Sequence, residues 1–444
     1  MLATDMRCAY SLPFLGLLLI SPTSIQAQSP SQNPAQSPAP NSTQSPEKAP
    51  PGRNLEQEID SLQEQIRALQ KQAAAKNASV DRTPTGPAKP ARDAQTEIKI
   101  QDPEVSSSVD LKIWGRVVFN MTYDNFAGLP NVDFQNYVVA EGPDTFNFNP
   151  RDSRLGFGAS QSWDDWNAGA VIEIDFYGGN VGNNILPRIR LGYAHVGNEK
   201  AGFSLRAGQD WTPVASQNPG TIDFGILAWG GNLWWRVPQF TARQELGDHL
   251  EVLLSAMKHR IANTMEAEER MPWLLGKLSY KDLLDEGKGL LAISIGGRKV
   301  KIQGNRMDAW LMALEWNLPL HRLFSINGEM WTGQGIGDEF LRYNLAYNLA
   351  TGTAIRSSGG FFSIRTQVTD QLQFNAGLGI DDPSNGQTGA KNAFHRNQIG
   401  FVNAQYKFTK HFGMGFEFMD LKTQSLSDED LRGQRYTFST WFVF

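Results

Sequence analysis

The chain has 444 residues and a single cysteine, Cys8, close to its start. One thiol builds no disulfide framework, so stability has to come from burial and backbone pairing. Beyond the N-terminus there is no run of eighteen apolar residues, which excludes a transmembrane helix. Basic runs and basic helix faces are missing as well, and the formal net charge is −5. That leaves no case for nucleic acid as a partner. The six histidines are scattered, with His195, His249, His321 and His411 at expected turns or strand ends. None has the H-x-x-x-H spacing of a helical metal site, so neither a metal nor a cofactor is expected.

Catalytic patterns are equally thin. A barrel hydrolase needs a Ser–His or Asp–His pair at close range, and no spacing here locates one. Gly333-Gln334-Gly335-Ile336-Gly337 imitates a nucleotide loop, but no amphipathic helix follows it. Asp381-Asp382-Pro383-Ser384-Asn385 reads as a solvated turn before it reads as a calcium loop. Glu173 and Asp175 share a strand face without the context of a sugar site. The chain is therefore read as a non-enzyme.

What is present is concentrated at the C-terminus. Tyr436, Phe438, Thr440, Phe442 and Phe444 occupy alternate positions, with Arg435, Thr437 and Ser439 between them. Alternate residues share one face of a strand. In a soluble protein an exposed aromatic edge strand is an aggregation hazard. In a membrane barrel the same residues face lipid and build interfacial girdles. The stripe resembles the C-terminal signature of bacterial outer-membrane barrels, in which Tyr436, Phe438, Phe442 and Phe444 would engage the barrel-assembly machinery. Aromatics make up 11% of the chain and the mean hydropathy is −0.38. That value fits a barrel, because half of every spanning strand faces water.

Composition divides the chain into five parts. Residues 1–27 read as a signal peptide: Arg7 precedes an apolar core from Leu12 to Ile20, and a cleavage site follows Ala27. Cys8 precedes that core and so cannot anchor a lipid. Residues 28–53 form a Ser-, Pro- and Gln-rich linker. Over 54–72, Leu55, Ile59, Leu62, Ile66 and Leu69 repeat at spacings of four and three. This is a short coiled-coil seam, with a lone amphipathic helix lying on the barrel or membrane as the alternative. A Pro- and Ala-rich linker follows over 73–108.

From Val109 to Phe444 the period is two. Val109, Leu111, Ile113, Val117, Phe119, Met121 and Tyr123 share one face of the first strand, with Asp110, Lys112, Arg116 and Asn120 on the other. Leu372-Phe374-Ala376-Leu378-Ile380 and Phe412-Met414-Phe416-Phe418 repeat the alternation. About sixteen such strands can be counted, an even number as barrels require. Long connections near 125–150, 213–232, 259–271, 333–355, 381–395 and 422–434 alternate almost throughout with short turns, among them Asp164-Asp165, Gly247-Asp248, Pro319-Leu320 and Thr409-Lys410. Soluble sandwiches do not sort loops by parity. The expected fold is all-β: a 16-stranded antiparallel transmembrane β-barrel in the outer membrane of a diderm bacterium, surrounded by its lipids, with an N-terminal periplasmic helical extension.

Several segments resemble one family. Gly115 through Asp124, Arg151-Asp152-Ser153-Arg154-Leu155-Gly156, Glu173-Ile174-Asp175-Phe176, Arg188-Ile189-Arg190 and Gly208-Gln209-Asp210-Trp211-Thr212 occur in that order. With the terminal Phe444 and the helical extension, they look like the DcaP-like porins, relatives of the phosphate-selective porins. The resemblance implies a trimeric diffusion channel that prefers organic anions such as dicarboxylates, often with a periplasmic coiled coil.

Placing the odd residues of the first strand toward lipid puts Lys112 and Arg116 in the lumen. The same rule adds Arg154, Arg188, Arg190, Arg206 and, less cleanly, Arg236, with Glu173 and Asp175 among them. Arginine keeps its charge and offers a planar fork to carboxylate or phosphate oxygens. Such a wall is either an anion path or a cross-strand ladder that stiffens the barrel. Pro213–Asn232 carries one formal charge, Asp223, among Ile222, Phe224, Ile226, Leu227 and Trp229. So apolar a loop either folds inward as a constriction, through Ile222, Asp223, Phe224 and Trp229, or packs at a subunit interface. Two functions remain: a passive channel for small anionic solutes, or a structural anchor that tethers the barrel through residues 54–72 to the cell wall or a periplasmic partner. Ile59 and Ile66 at a with Leu62 and Leu69 at d locally favour two strands. The resemblance favours a homotrimer, and the larger barrel contacts are expected to prevail.

Overall fold

A computed structural model of the chain describes residues 98–100, 109–127, 136–179, 185–214, 216–259, 267–284, 289–302, 304–337, 340, 346–384, 394–425 and 430–444. The signal segment, the first linker and the helix expected over 54–72 lie outside these residues. Among the described residues no helix is long and apolar enough to cross a membrane.

The alternating pattern builds one closed sheet. Its first strands are β1 (Val109–Asp124), β2 (Arg154–Trp163), β3 (Trp166–Asp175) and β4 (Arg188–Asn198). Next come β5 (Phe203–Trp211), β6 (Arg236–Leu246), β7 (Leu250–Met257) and β8 (Trp273–Leu283). They continue as β9 (Gly289–Ile302), β10 (Asn305–His321), β11 (Phe324–Gln334) and β12 (Arg356–Gln367). The last are β13 (Leu372–Pro383), β14 (Phe394–Lys407), β15 (Phe412–Ser425) and β16 (Asp430–Val443). Each strand pairs antiparallel with the next, and β16 returns to β1 from Arg116↔Val443 to Asp124↔Arg435. Gly115 and Phe444 exchange both backbone hydrogen bonds, at 2.9 and 3.0 Å, completing the ring. Among the described residues closure pairs each of the sixteen wall strands on both sides, which is what a sheet in hydrocarbon needs.

Three short segments add to this wall of sixteen. Thr145–Asn149 extends the pairing of β1, and Ala267–Arg270 that of β9. Ile98–Ile100, in the stretch expected as linker, pairs with Val109–Leu111.

The two faces separate as their residues dictate. Outward-facing Leu254, Ile295, Met330 and Leu378 are each about 60% exposed, whereas inward Arg435, Thr437 and Ser439 of β16 are buried. Aromatics gather at the two rims of the outer surface. Trp163, Trp166, Phe324, Phe408, Phe412 and Phe442 lie near the short turns, and Phe119, Phe146 and Phe148 toward the long loops. Phe408 and Phe412 stack at 5.5 Å, and Phe119 and Phe148 at 5.8 Å.

Connection lengths sort by parity, with three differences from expectation. β9 and β10 pair as far as Ile302↔Asn305, so their connection is short, unlike those after β1, β3, β5 and β7 at the same end. β15 and β16 pair as far as Gln424↔Asp430, so residues 422–425 and 430–434, expected as loop, are strand. β10 continues through Pro319 and Leu320 to His321, which moves its turn to Arg322-Leu323, three residues on. In the first two places polar residues such as Lys299, Lys301, Lys422 and Gln424 continue the alternation, and strand pairing extends past the apolar band.

The connection between β5 and β6 folds into the barrel. Its backbone is held by side chains of the opposite wall. Glu315 accepts from the Ser216 N–H at 3.2 Å, and Asn327 donates to the Asn218 carbonyl at 2.8 Å. Asn403 donates to the Gly220 carbonyl at 2.8 Å, while Glu417 accepts from the Ile222 and Asp223 N–H groups at 2.7 and 2.8 Å. On the returning limb, Asn397 donates to the Trp229 carbonyl, Trp331 to the Gly231 carbonyl, and Glu329 accepts from the Leu233 N–H. The limb presses onto the wall where only glycines fit. A Cβ on Gly379 would sit 1.9 Å from the Gly230 carbonyl oxygen, and Gly231 has φ +98°.

Two outcomes follow from this architecture. Leu378→Arg, mid-strand on the lipid face, should lower the unfolding free energy by about 2–4 kcal/mol in vesicles, measured by urea titration. Gly379→Val should lift the loop off the wall and raise single-channel conductance; an unchanged conductance would show that the loop does not limit the lumen.

Candidate functional site

The inner faces of β1–β6 carry a run of ion pairs that starts from strand alternation. Asp152, in the short break before β2, takes Arg116 at 2.5 Å and Arg154 at 3.0 Å. Asp175 takes Arg188 at 2.7 Å and Arg190 at 3.0 Å, and Glu173 takes Arg190 at 2.7 Å. Arg206 pairs with Asp210 at 2.5 Å and lies 4.3 Å over the Tyr193 ring. Within these pairs five arginines (116, 154, 188, 190 and 206) share four carboxylates (Asp152, Glu173, Asp175 and Asp210), and Arg236 shares the face, as do Asp110 and Asp124 of β1. Lys112 is exposed on the same face, nearer the short-turn end.

Exposure separates these cations into two groups. The side chains of Arg116, Arg188 and Arg206 are 33%, 33% and 43% exposed, with Arg154 at 26%. Arg190 and Arg236, expected on the open face, are sealed. Arg190 is locked between two carboxylates and the Trp211 ring, at 5.8 Å. Arg236 lies 4.8 Å over Trp211 and 5.5 Å over Trp234, with its Nη1 buried and unbonded among the described residues. A desolvated guanidinium between aromatic faces is held by cation–π attraction. Trp234, next to Arg236 in the chain, is one of the two rings that cover it.

The inward loop reaches both sides of the lumen. Phe224 stacks on Tyr177 at 4.1 Å, beneath Arg188, while Trp229 packs against Tyr137 at 4.9 Å. Ile222 is half-buried against Gly415 of β15. Asp223 pairs with Arg435 at 3.0 Å, and Arg435 also takes Asp124 at 3.2 Å. Burial pushes the Asp223 carboxyl up from its ordinary value, against the opposing pull of Arg435 and the Gly225 N–H. The loop is also strained. Ile226, Leu227 and Trp229 all have positive φ, at 42°, 58° and 61°, a conformation bulky side chains adopt only when surroundings force it.

Several site residues were not singled out in the sequence. Arg243 of β6 pairs with Glu245 at 3.1 Å and with Glu251; Lys281 of β8 pairs with Glu251 too. Lys277 pairs with Glu315 at 2.6 Å. Alternation carried past β6 would have put Arg243, Lys277, Lys281 and Arg435 inside the barrel. No spacing marked Glu315, Glu329 and Glu417 as loop anchors. Below the loop, toward the short turns of β5–β8, lies a cavity of about 540 Å³ bordered by Trp211 and Ser216 of the loop. The aromatic stripe of β16 lies on the outer face: Tyr436 packs on Phe418 at 5.2 Å, Phe442 stacks on His411 at 5.8 Å, and Phe444 is 49% exposed. Phe438 shares that face through its register with Met121 and Phe416.

No family model matches the sequence, and no curated protein matches it. Solved structures do. The outer-membrane channel DcaP of Acinetobacter baumannii superposes with a TM-score of 0.67 at 20% identity, covering 76% of this chain and 97% of that one. An anion-selective porin from Comamonas acidovorans gives a TM-score of 0.56 at 12% identity, over 76% of this chain and all (100%) of that chain. OmpF of Salmonella typhi, solved with daunomycin, gives 0.51 at 12% identity, over 78% and 100%. A closed wall of sixteen strands, a loop folded inward after the fifth, and these superpositions together give the chain the fold of the outer-membrane porins.

Proposed function

We propose that the chain forms a water-filled diffusion channel in a bacterial outer membrane, with a preference for small organic anions, dicarboxylates among them. One observation carries the preference: the loop covers three lumen carboxylates, while three arginines of the facing wall stay partly accessible. Glu315, Glu329 and Glu417 are each 0% exposed beneath it, whereas Arg116, Arg188 and Arg206 keep a third or more of their side chains accessible. A lumen bordered by exposed guanidinium groups raises the local concentration of anions. The ion pairs also stiffen the wall, and the two roles are compatible because the arginines exceed their partners.

The rest of the biology follows this reading. The long-loop end faces the exterior and the short-turn end the periplasm, which places residues 28–108 in the periplasm. The outward aromatics of β16 serve membrane assembly, and three copies associate through their walls. Protease added to intact cells should leave residues 28–108 uncut. The selectivity is tested by reversal potential in a planar bilayer under a salt gradient. Arg116→Glu with Arg206→Glu should move it toward cations, and a wild-type channel that prefers cations strongly would overturn the proposal.

A further inference from the structure

The cavity beneath the loop has its own charge pattern, separate from the Arg116–Arg188 cluster. Four cations line it, Arg206, Arg243, Lys277 and Lys281, against two carboxylates, Asp210 and Glu251. The heads of three of these cations are presented to the space: Arg206, Arg243 and Lys281 are 43%, 40% and 32% exposed. Of their partners, Asp210 and Glu251 are tucked behind, at 12% and 11%, while Glu245, which takes Arg243 at 3.1 Å and Lys281 at 3.6 Å, lies outside the cavity lining and is 48% exposed. Lys277 is spent on holding the loop, donating to the Pro213 carbonyl at 2.8 Å and the Ser216 hydroxyl at 2.9 Å.

Register places two of the exposed heads as a pair. Arg206 faces Thr241 and Ser204 faces Arg243 across β5 and β6, so the two arginines are diagonal neighbours on one face. Diagonal positions are about 7–8 Å apart, a span that two long guanidinium side chains close onto one short dianion. The serine hydroxyl of Ser204 lies beside them, and the Trp211 ring and Leu253 supply an apolar side. The volume, about 540 Å³, falls within the ordinary range for small-molecule sites.

We infer that Arg206, Arg243 and Lys281 form a second binding station, on the short-turn side of the constriction, for small carboxylate-bearing solutes. It rests on the channel reading and adds to it a resting place below the loop. Weak sites in series let a solute enter from one and leave to the next without being trapped. Arg206 belongs to both groups, standing in the run of pairs on β1–β6 and in the lining of the cavity.

The test uses full-length protein in planar bilayers, with potassium succinate on both sides at unequal concentration. Arg243→Gln with Lys281→Gln should lower the succinate-to-potassium permeability ratio by about two-fold or more. Arg243→Lys with Lys281→Arg, which keeps the charge, should retain most of the wild-type ratio. Should the double variant fail to assemble, Lys281→Gln alone leaves the Arg243–Glu251 pair in place and is read in the same way. A wild-type ratio in the glutamine variants, with a reduced ratio in Arg116→Gln, overturns the station and leaves the channel reading standing. A wild-type channel with no anion preference overturns both.

Discussion

A backbone that crosses hydrocarbon must find partners for its N–H and C=O groups within the protein, and two different solutions meet that demand here. The wall meets it by closure: β16 returns to β1, and Phe444 locks onto Gly115 through paired hydrogen bonds. The loop after β5 has no strand to pair with. Its backbone is instead satisfied by amides and carboxylates projecting from β10–β15, with Asn327, Asn403, Glu417 and Glu329 taking its groups in sequence. Residues that would look wasteful on a barrel wall thus act as a substitute for strand pairing. Each buried carboxylate that accepts N–H donors is worth more than a neutral bond, and losing it strands the donor.

That anchoring also divides the lumen electrically. The carboxylates that hold the loop are covered by it, while Arg116, Arg188 and Arg206 stay partly open. On the proposed channel reading, selectivity would depend as much on which charges are covered as on which are displayed. The same geometry explains why Arg236 carries no carboxylate. Two tryptophan rings, Trp211 and Trp234, take the guanidinium at the point where the loop re-enters the wall. The strain at Ile226, Leu227 and Trp229 marks the turn the loop makes inside that confined space, held there by anchors on either side.

Much of the barrel was legible because strand faces follow a period of two. Lys112, Arg116, Arg154 and Arg188 fall on the inner face as alternation requires, and the aromatic stripe of β16 falls on the outer one. Alternation could not reveal depth. Arg190 and Arg206 look alike in sequence, yet one is sealed by Asp175 and Trp211 and the other stands open. Connection lengths were less legible, because polar strand extensions such as Lys422–Gln424 read as loop until the partner strand is known. The anchors Glu315, Glu329 and Glu417 were illegible for a related reason. A lone glutamate on a barrel strand looks like any lumen residue until a loop residue about a hundred or two hundred positions away meets it.

The sequence by itself determined the class of fold, the direction each strand residue faces and the aromatic rims, because these follow from chemistry repeated every second residue. Only the tertiary structure decided where the β5–β6 loop goes, which cations remain exposed and which carboxylates are hidden. Those depend on contacts between residues far apart in the chain, such as Asp223 with Arg435 and Ser216 with Glu315, and no local pattern carries information about a partner on the opposite wall.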